Sequence, residues 1–559
     1  MKAEDGGMWV VEIEGALIGH QYQFELQNGE KRFRKNDAYA REIHPETKLG
    51  VIYRDDFVWK HADCVLPNWN ELVVYELHIG NFSLNRENDP GRFVQVAGRL
   101  PYLKSLGVNA IEIMPPMAFP TERSWGYNLT NPFAVESSYG GANGLKRLID
   151  AAHAQKMSII IDVVCNHFGP DDLDLWQYDG WTENGKGGIY FYNDHRAATP
   201  WGENRPDYGR DEVRQYIHDY AVLWMEVFQV DGIRLDSTIH IRNWRGENDQ
   251  PEADLPEGWS LMQWINDDIQ KSFPGRITIA EDIQQNHWIT KPTLEGGMGY
   301  GTQWCGAFIY PIREAIVATE DASRSMPAVA KAIEFRYNLN AIQRVIYSES
   351  HDSVANGRAR LPQEIDPCNT GSYYAQKRST LAAGITLTTP GIPMLFEGQE
   401  FLEDGSFRDD VTLDWSKLET YRGINRLYRD LIHLRRNIHG RTNGLIGPHV
   451  RVHHINDVDK VIAYHRWEFG GPNDDVIIVA NFSGHERPDG YRVGFPRPGA
   501  WTIRLNSDWK GYSQEFHDIG LTIAIVTADE KPQDGFSYSA LVALPPYAFV
   551  ILSQDEAKN

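Results

Sequence analysis

The sequence predicts an α/β protein built on a closed (β/α)8 TIM barrel, with a small subdomain inserted after the third barrel strand, an N-terminal β-sandwich and a C-terminal β-sandwich. Three observations lead there. Eight apolar, strand-like runs alternate with amphipathic helical periods through the middle of the chain. Short alternating segments separated by turn signals occupy both ends. At 559 residues the chain exceeds one ordinary core and must divide into two or three domains.

Residues 1–65 hold "MWVVEIEG" and "HQYQFEL", broken by turn pairs such as Asn28-Gly29, the pattern of a small β-sandwich. Residues 66–442 carry the barrel. Its strands in chain order are "LVVYELHIGNF", "AIEIMPP", "SIIIDVVCNH", "VDGIRLD", "ITIAED", "TQWCGAF", "RVIYSESHD" and "GIPMLFEGQEF". Between them lie helical periods such as "GRFVQVAGRLPYLKSLG", "GLKRLIDAAHAQKM" and "DEVRQYIHDYAVLWMEVF", and "TYRGINRLYRDLIHLRRN" follows the last strand. Apolar strands separated by amphipathic helices imply a parallel sheet covered on its outer face. "TQWCGAF" is the least strand-like of the eight. The third unit is oversized by an insertion at about 168–210, rich in Gly, Asp and aromatics. Residues 443–559 return to strands, among them "KVIAYHRWEF" and "DVIIVANF", and no internal repeat or low-complexity tract interrupts the chain.

Composition narrows the function. A formal charge of −22 argues against nucleic acid or an anionic membrane as partner. The 17 Trp and 12% aromatic content suit a carbohydrate ligand, although large cores use aromatics too. Cys64, Cys165, Cys305 and Cys368 are scattered without a C-x-x-C pair and read as reduced thiols, neither a disulfide frame nor a zinc site. The N-terminus has no apolar signal region, and no apolar run reaches membrane-spanning length, so the expected location is the cytoplasm.

The polar residues of the barrel segment fall at strand ends. "SIIIDVVCNH" ends in Asp162, Asn166 and His167, and "VDGIRLD" ends in Arg234 and Asp236. "ITIAED" ends in Glu281 and Asp282, while "RVIYSESHD" ends in His351 and Asp352. In a parallel barrel all C-terminal strand ends gather at one mouth, where active sites of this fold lie. Arg234 and Asp236, two apart in a strand, share a face, and an adjacent guanidinium keeps a carboxylate ionised. An isolated Arg-x-Asp is more simply a structural ion pair; three carboxylates converging from the fourth, fifth and seventh strands are not so easily dismissed.

These four strand ends resemble the four signature regions of the α-amylase superfamily, glycoside hydrolase family 13: "DVVCNH", "GIRLDSTIH", "AED" and "ESHD". The resemblance implies Asp236 as nucleophile, Glu281 as general acid/base and Asp352 as transition-state stabiliser. It further implies that Arg234, His167 and His351 hold those carboxylates and the sugar, and that Tyr127 of "WGYN" stacks on the sugar being cleaved. A carboxyl pair spaced for direct attack gives a covalent glycosyl-enzyme and retained configuration. His240 either lines an acceptor subsite or starts a helix. Asp282 reads as structural, and Trp125 as a sugar platform or a loop anchor. Trp176, Trp181, Tyr190 and Tyr192 of the insertion either stack on an acceptor or form the insertion's own core.

Within the superfamily, "NDAYARE" resembles a shortened carbohydrate-binding family 48 sandwich, and "AED" followed by "ESHD" is most similar to branching enzymes. "TPWGENRPDYGRDEVRQYI" and "FEGQEF" are similar to both branching enzymes and maltooligosyltrehalose trehalohydrolases. The resemblance thus implies an α-glucan substrate and a 1,4-α-glucan branching activity, with hydrolysis of α-glucans or of maltooligosyltrehalose as the alternative and an inactive glycan-binding scaffold as a third. No cofactor and no essential metal are expected, although Asn166 stands where some amylases bind calcium.

Overall fold

The computed structural model describes residues 1–4, 9–62, 67–83, 92–169 and 173–556. Its centre is a closed barrel of eight parallel strands: β1 (Val74–Leu77), β2 (Ala110–Ile113), β3 (Ser158–Val163), β4 (Gly232–Leu235), β5 (Ile277–Ala280), β6 (Thr302–Trp304), β7 (Arg344–Ile346) and β8 (Ile392–Phe396). All eight expected runs contribute a strand, "TQWCGAF" included, and β8 pairs back to β1 to close the ring. The alternation of side chains sorts each strand into two layers. Tyr75, Leu77, Ile111, Ile113, Ile159, Ile161, Ile233 and Leu235 face outward and join the core shared with the helices. Val74, Ala110, Ile160, Ile277, Trp304, Val345 and Met394 belong to a separate apolar cluster filling the barrel. Gly232 is needed at this inner face, since a Cβ there would stand 2.4 Å from the Ile277 side chain.

Helices Phe93–Leu106, Gly141–Ala154, Asp211–Glu226, Pro256–Ser272, Gly306–Val317, Tyr373–Thr388 and Arg422–Arg435 form the outer ring. Among the described residues no helix is long and apolar enough to cross a membrane. The C-terminal region packs a six-stranded antiparallel sheet against a two-stranded one, with Val461, Val479, Val493, Phe495, Trp501 and Val542 between them. A fully buried ion pair, Lys377 to Asp508 at 2.7 Å, ties this sandwich to a barrel helix.

The N-terminal region differs from the expected sandwich. Its described residues form three separate two-stranded antiparallel ladders, not two packed sheets. Trp9, Val10, Ile13, Leu17 and Ile18 are exposed, while Ala40 and Ile43 pack against Ala118 and Ala134 of the barrel. Too few apolar side chains remain inside the module to hold two sheets together. The module leans on the insertion instead: Lys35 Nζ donates to the Trp176 carbonyl at 2.9 Å and the Tyr178 hydroxyl to the Asn36 carbonyl at 2.9 Å. Cys165 and Cys305 are buried free thiols and Cys368 an exposed one, whereas Cys64 lies outside the described residues.

Candidate functional site

Above the apolar filling of the barrel lies a layer of charge. Glu76 of β1 stands in register with Glu112 of β2, and Asp162 of β3 with Arg234 of β4. All four are buried. Burial, reinforced by the neighbouring Glu76, drives the Glu112 carboxyl well above the usual carboxylate range. Burial opposes the charge of Arg234, but Asp162 and the other acids around it outweigh that effect and keep the guanidinium protonated. Its Nη1 donates to Asp162 Oδ2 at 2.6 Å and to Asp236 Oδ1 at 3.0 Å, and its plane covers the Trp304 ring at 4.2 Å. Asp162, raised by burial and restrained by Arg234, titrates at about 6.

The next layer is the mouth. Asp236, one residue past β4, has its second oxygen held by Asn166 Nδ2 at 2.7 Å. Ser237 follows in the left-handed region with φ 43°, a conformation that costs a non-glycine residue about 1–2 kcal/mol. That turn aims the Ser237 amide at Glu281 Oε2, 2.7 Å away. Burial pushes the Glu281 carboxyl up, Asp236 and Asp352 add to the effect, and Arg234 opposes it, for a value of about 8. That environment favours the protonated form of Glu281 at neutral pH.

His351 is fixed from both sides. Its Nδ1 meets Glu76 Oε1 at 2.5 Å and its Nε2 meets the Tyr127 hydroxyl at 2.9 Å, which donates onward to Asp162 at 2.6 Å. Burial lowers the affinity of His351 for its proton, but Asp352 and Glu76 more than compensate and hold it at about 9. Asp352 itself projects into the cleft with its side chain 52% exposed, 3.4 Å from His351 Nε2. His167, by contrast, is pushed down to about 4 by burial and is neutral.

These groups line a cleft of about 560 Å³. Asp236, Glu281, Asp352, Tyr127, His167 and His351 all face it, joined by Trp125, Trp201, Asn356 and Asp409. Arg234 lies beneath the floor and touches only its neighbours, so its contact is with the carboxylates. Asp282 is buried against Arg242 at 2.8 Å, a structural pair. Trp125 packs on Phe407 at 5.1 Å and edge-on to His351, combining an anchored ring with a place in the cleft wall. The four aromatics singled out in the insertion do not line the cleft: Trp176 packs on Phe191, Tyr190 on Tyr178 and Tyr216, Tyr192 on Tyr208, and Trp181 lies beneath Arg210. Trp176, Tyr190 and Tyr192 belong to the core beneath the insertion, whereas Trp181 is half-buried under Arg210. Trp201, from the same insertion, is the aromatic that reaches the cleft, and its sequence context alone did not set it apart. Asn166 spends its amide on Asp236 and its carbonyl oxygen on His167 Nδ1. Among the described residues no three His, Cys, Asp or Glu side chains are grouped to hold a metal ion.

Comparison with known proteins agrees with this fold. The family description "Alpha amylase, catalytic domain" matches residues 52–206 and 173–430, and "Alpha amylase, C-terminal all-beta domain" matches 452–555. The 1,4-alpha-glucan branching enzyme GlgB of Aquifex aeolicus is 28% identical over 591 aligned residues, spanning 99% of this chain and 89% of that protein. Its namesake from Dechloromonas aromatica is 28% identical over 99% of this chain and 90% of its own. Among solved structures, a pullulanase complexed with maltotetraose from Anoxybacillus sp. LM18-11 superposes with a TM-score of 0.76 at 20% identity, covering 99% of this chain and 82% of that one. A putative alpha amylase from Salmonella typhimurium gives 0.73 at 21% identity, with 99% and 94% covered. At such identities the solved structures establish the fold.

Proposed function

Because the chain belongs to the α-amylase family, we propose that this enzyme is a retaining 1,4-α-glucan branching enzyme, which moves an α-1,4 chain onto a 6-hydroxyl through a covalent intermediate on Asp236. The observation that carries the reading is the pairing of two carboxyl groups in different surroundings: Asp236 gripped by Arg234 and Asn166, and Glu281 raised by burial to about 8. In the first half-reaction an Asp236 oxygen bonds to the anomeric carbon, the C1–O4 bond breaks, and the Glu281 proton passes to the departing O4. In the second, the Glu281 carboxylate takes the proton of an acceptor 6-hydroxyl, whose oxygen bonds to C1 and releases Asp236. Asp352, beside protonated His351, binds the sugar at the reacting centre and stabilises the oxocarbenium-like charge. Tyr127 supplies the face on which that sugar rests. The names of the full-length relatives support branching over hydrolysis as the fate of the intermediate.

Amylose incubated with the enzyme tests this. Branching removes iodine staining faster than reducing ends appear and produces new α-1,6 anomeric signals in the proton NMR spectrum. Reducing ends rising in step with colour loss, without α-1,6 signals, would assign the enzyme to hydrolysis. Trehalose released from maltooligosyltrehalose would then identify a trehalohydrolase.

A further inference from the structure

We infer that Trp201 is the platform on which the acceptor glucose ring stacks, and that it sets how the glycosyl-enzyme divides between sugar and water; this rests on reading the site as a retaining transferase. Trp201 is 46% exposed although it lines the cleft. One face lies flat on His167, with centroids 4.6 Å apart and planes 14° from parallel. The His240 ring stands nearly perpendicular to the Trp201 ring, with centroids 5.4 Å apart and planes at 81°. The indole is thus braced from two sides while much of it stays open.

The bracing is built. Thr199 and Gly202 exchange backbone hydrogen bonds across the turn that carries Trp201, and the Thr199 hydroxyl accepts from the Trp201 amide at 3.1 Å. Behind His240 stands Gly246 at φ +76°, where a Cβ would come within 2.3 Å of the imidazole, so the backbone closes directly on that ring. A pre-positioned ring stacks on a sugar without first giving up side-chain freedom.

The wall also lies on the side where an acceptor must arrive. Glu281 exchanges its proton with the leaving and entering oxygens, so the acceptor sugar sits beside it. Glu281 is bound by the amide of Ser237, which opens the short helix Thr238–Arg242 carrying His240, and His240 supports Trp201. Tyr127, His351 and Asp352 form a separate wall, linked through Asp162 and Glu76. Water stands at roughly 55 M, and an acceptor competes only through a high effective concentration at the intermediate.

α-Maltosyl fluoride separates these steps, because fluoride departs without a sugar on the acceptor side. Wild-type, Trp201→Ala and Trp201→Phe enzymes are given this donor with increasing maltose; fluoride release, transfer product and free maltose from the donor are measured. The expected result for Trp201→Ala is a rise of about tenfold or more in the maltose needed for half-maximal transfer, with product shifting to hydrolysis relative to the variant's own fluoride release. Trp201→Phe, which keeps a flat ring, should recover most of the transfer. A transfer-to-hydrolysis ratio in Trp201→Ala equal to wild type at every maltose concentration overturns the inference, whatever happens to the overall rate. A wild type that transfers to maltose yet forms no α-1,6 bonds on amylose fails the branching assignment while the acceptor platform stands or falls on the variants. A wild type that only hydrolyses overturns both.

Discussion

Glu76 grips His351 twice: one carboxylate oxygen meets ring Nδ1 at 2.5 Å and the other accepts from the His351 backbone amide at 3.2 Å. The grip comes from β1, which is separated from β7 only by β8, and reaches the loop after β7. It places a negative charge on the face of His351 away from Asp352, and the two acids together hold the imidazole protonated against its burial. Glu112, Asp162 and Arg234 on β2, β3 and β4, Tyr127 in the loop after β2 and buried His78 add to the charged and titratable surroundings. Glu76→Gln keeps the shape and removes the charge. The expected outcome is a loss of roughly tenfold or more in kcat, one pKa unit being about 1.4 kcal/mol, with the basic limb of the pH profile displaced to lower pH. A uniform loss at all pH values would mean that Glu76 serves only the architecture.

Asp236 and Glu281 carry the bond exchange in the proposed mechanism, so Asp236→Asn and Glu281→Gln should each remove nearly all turnover while leaving glucan binding largely intact. A positioned nucleophile or acid acts in the transition state and contributes little to ground-state contacts. Steady-state rates on amylose, paired with binding measured by calorimetry, check this. Retention of more than about a tenth of wild-type turnover in either variant would remove that residue from its role.

Glu281 also fixes a pH limb. Its folded value of about 8 means that the acid form predominates at neutral pH and is lost as pH rises through that value. The free-enzyme profile of kcat/KM should therefore fall on the alkaline side with a midpoint near 8. Burial is the main cause of the rise, so the limb should persist in high salt, where exposed-charge effects are screened. A midpoint near the ordinary glutamate value would show that Glu281 is not the group being titrated.

The barrel and its mouth were legible because parallel strands buried on both faces leave long apolar runs, and any polar residue at their C-terminal ends stands out. Asp236, Glu281 and Asp352 announced themselves in that way. Glu76 and Glu112 gave the same kind of signal, single charges inside "VYELHI" and "AIEIM", and alternation places both inside the barrel; what a linear reading lacks is that Glu76 meets His351, 275 positions away. Trp201 was harder. Its insertion is rich in aromatics, and which of them packs inward is decided by tertiary contacts with Tyr178, Tyr208, Phe191 and Tyr216, not by spacing. The N-terminal module misled for a related reason: alternation marks strands, but whether two sheets close depends on how much apolar surface they share.

The stereochemistry of the first product offers a test independent of any variant. An inverting enzyme needs room for a water between its carboxyl groups, about 6.5–9.5 Å, whereas a retaining one brings them to about 5–5.5 Å so that one attacks directly. Here both groups are tied to consecutive residues: Glu281 is hydrogen-bonded to the amide of Ser237, and Ser237 follows Asp236. Asp236 has both oxygens engaged by donors that stabilise the anion, Arg234 and Asn166, which suits a nucleophile and a leaving carboxylate rather than a base that must collect a proton from water. Two displacements at the anomeric carbon restore its configuration. Any hydrolytic product should therefore appear first as the α-anomer, visible by proton NMR within the first minutes, before mutarotation mixes the signals. An initial β-anomer would require a single displacement by water, and Asp236 would then be the base of an inverting pair.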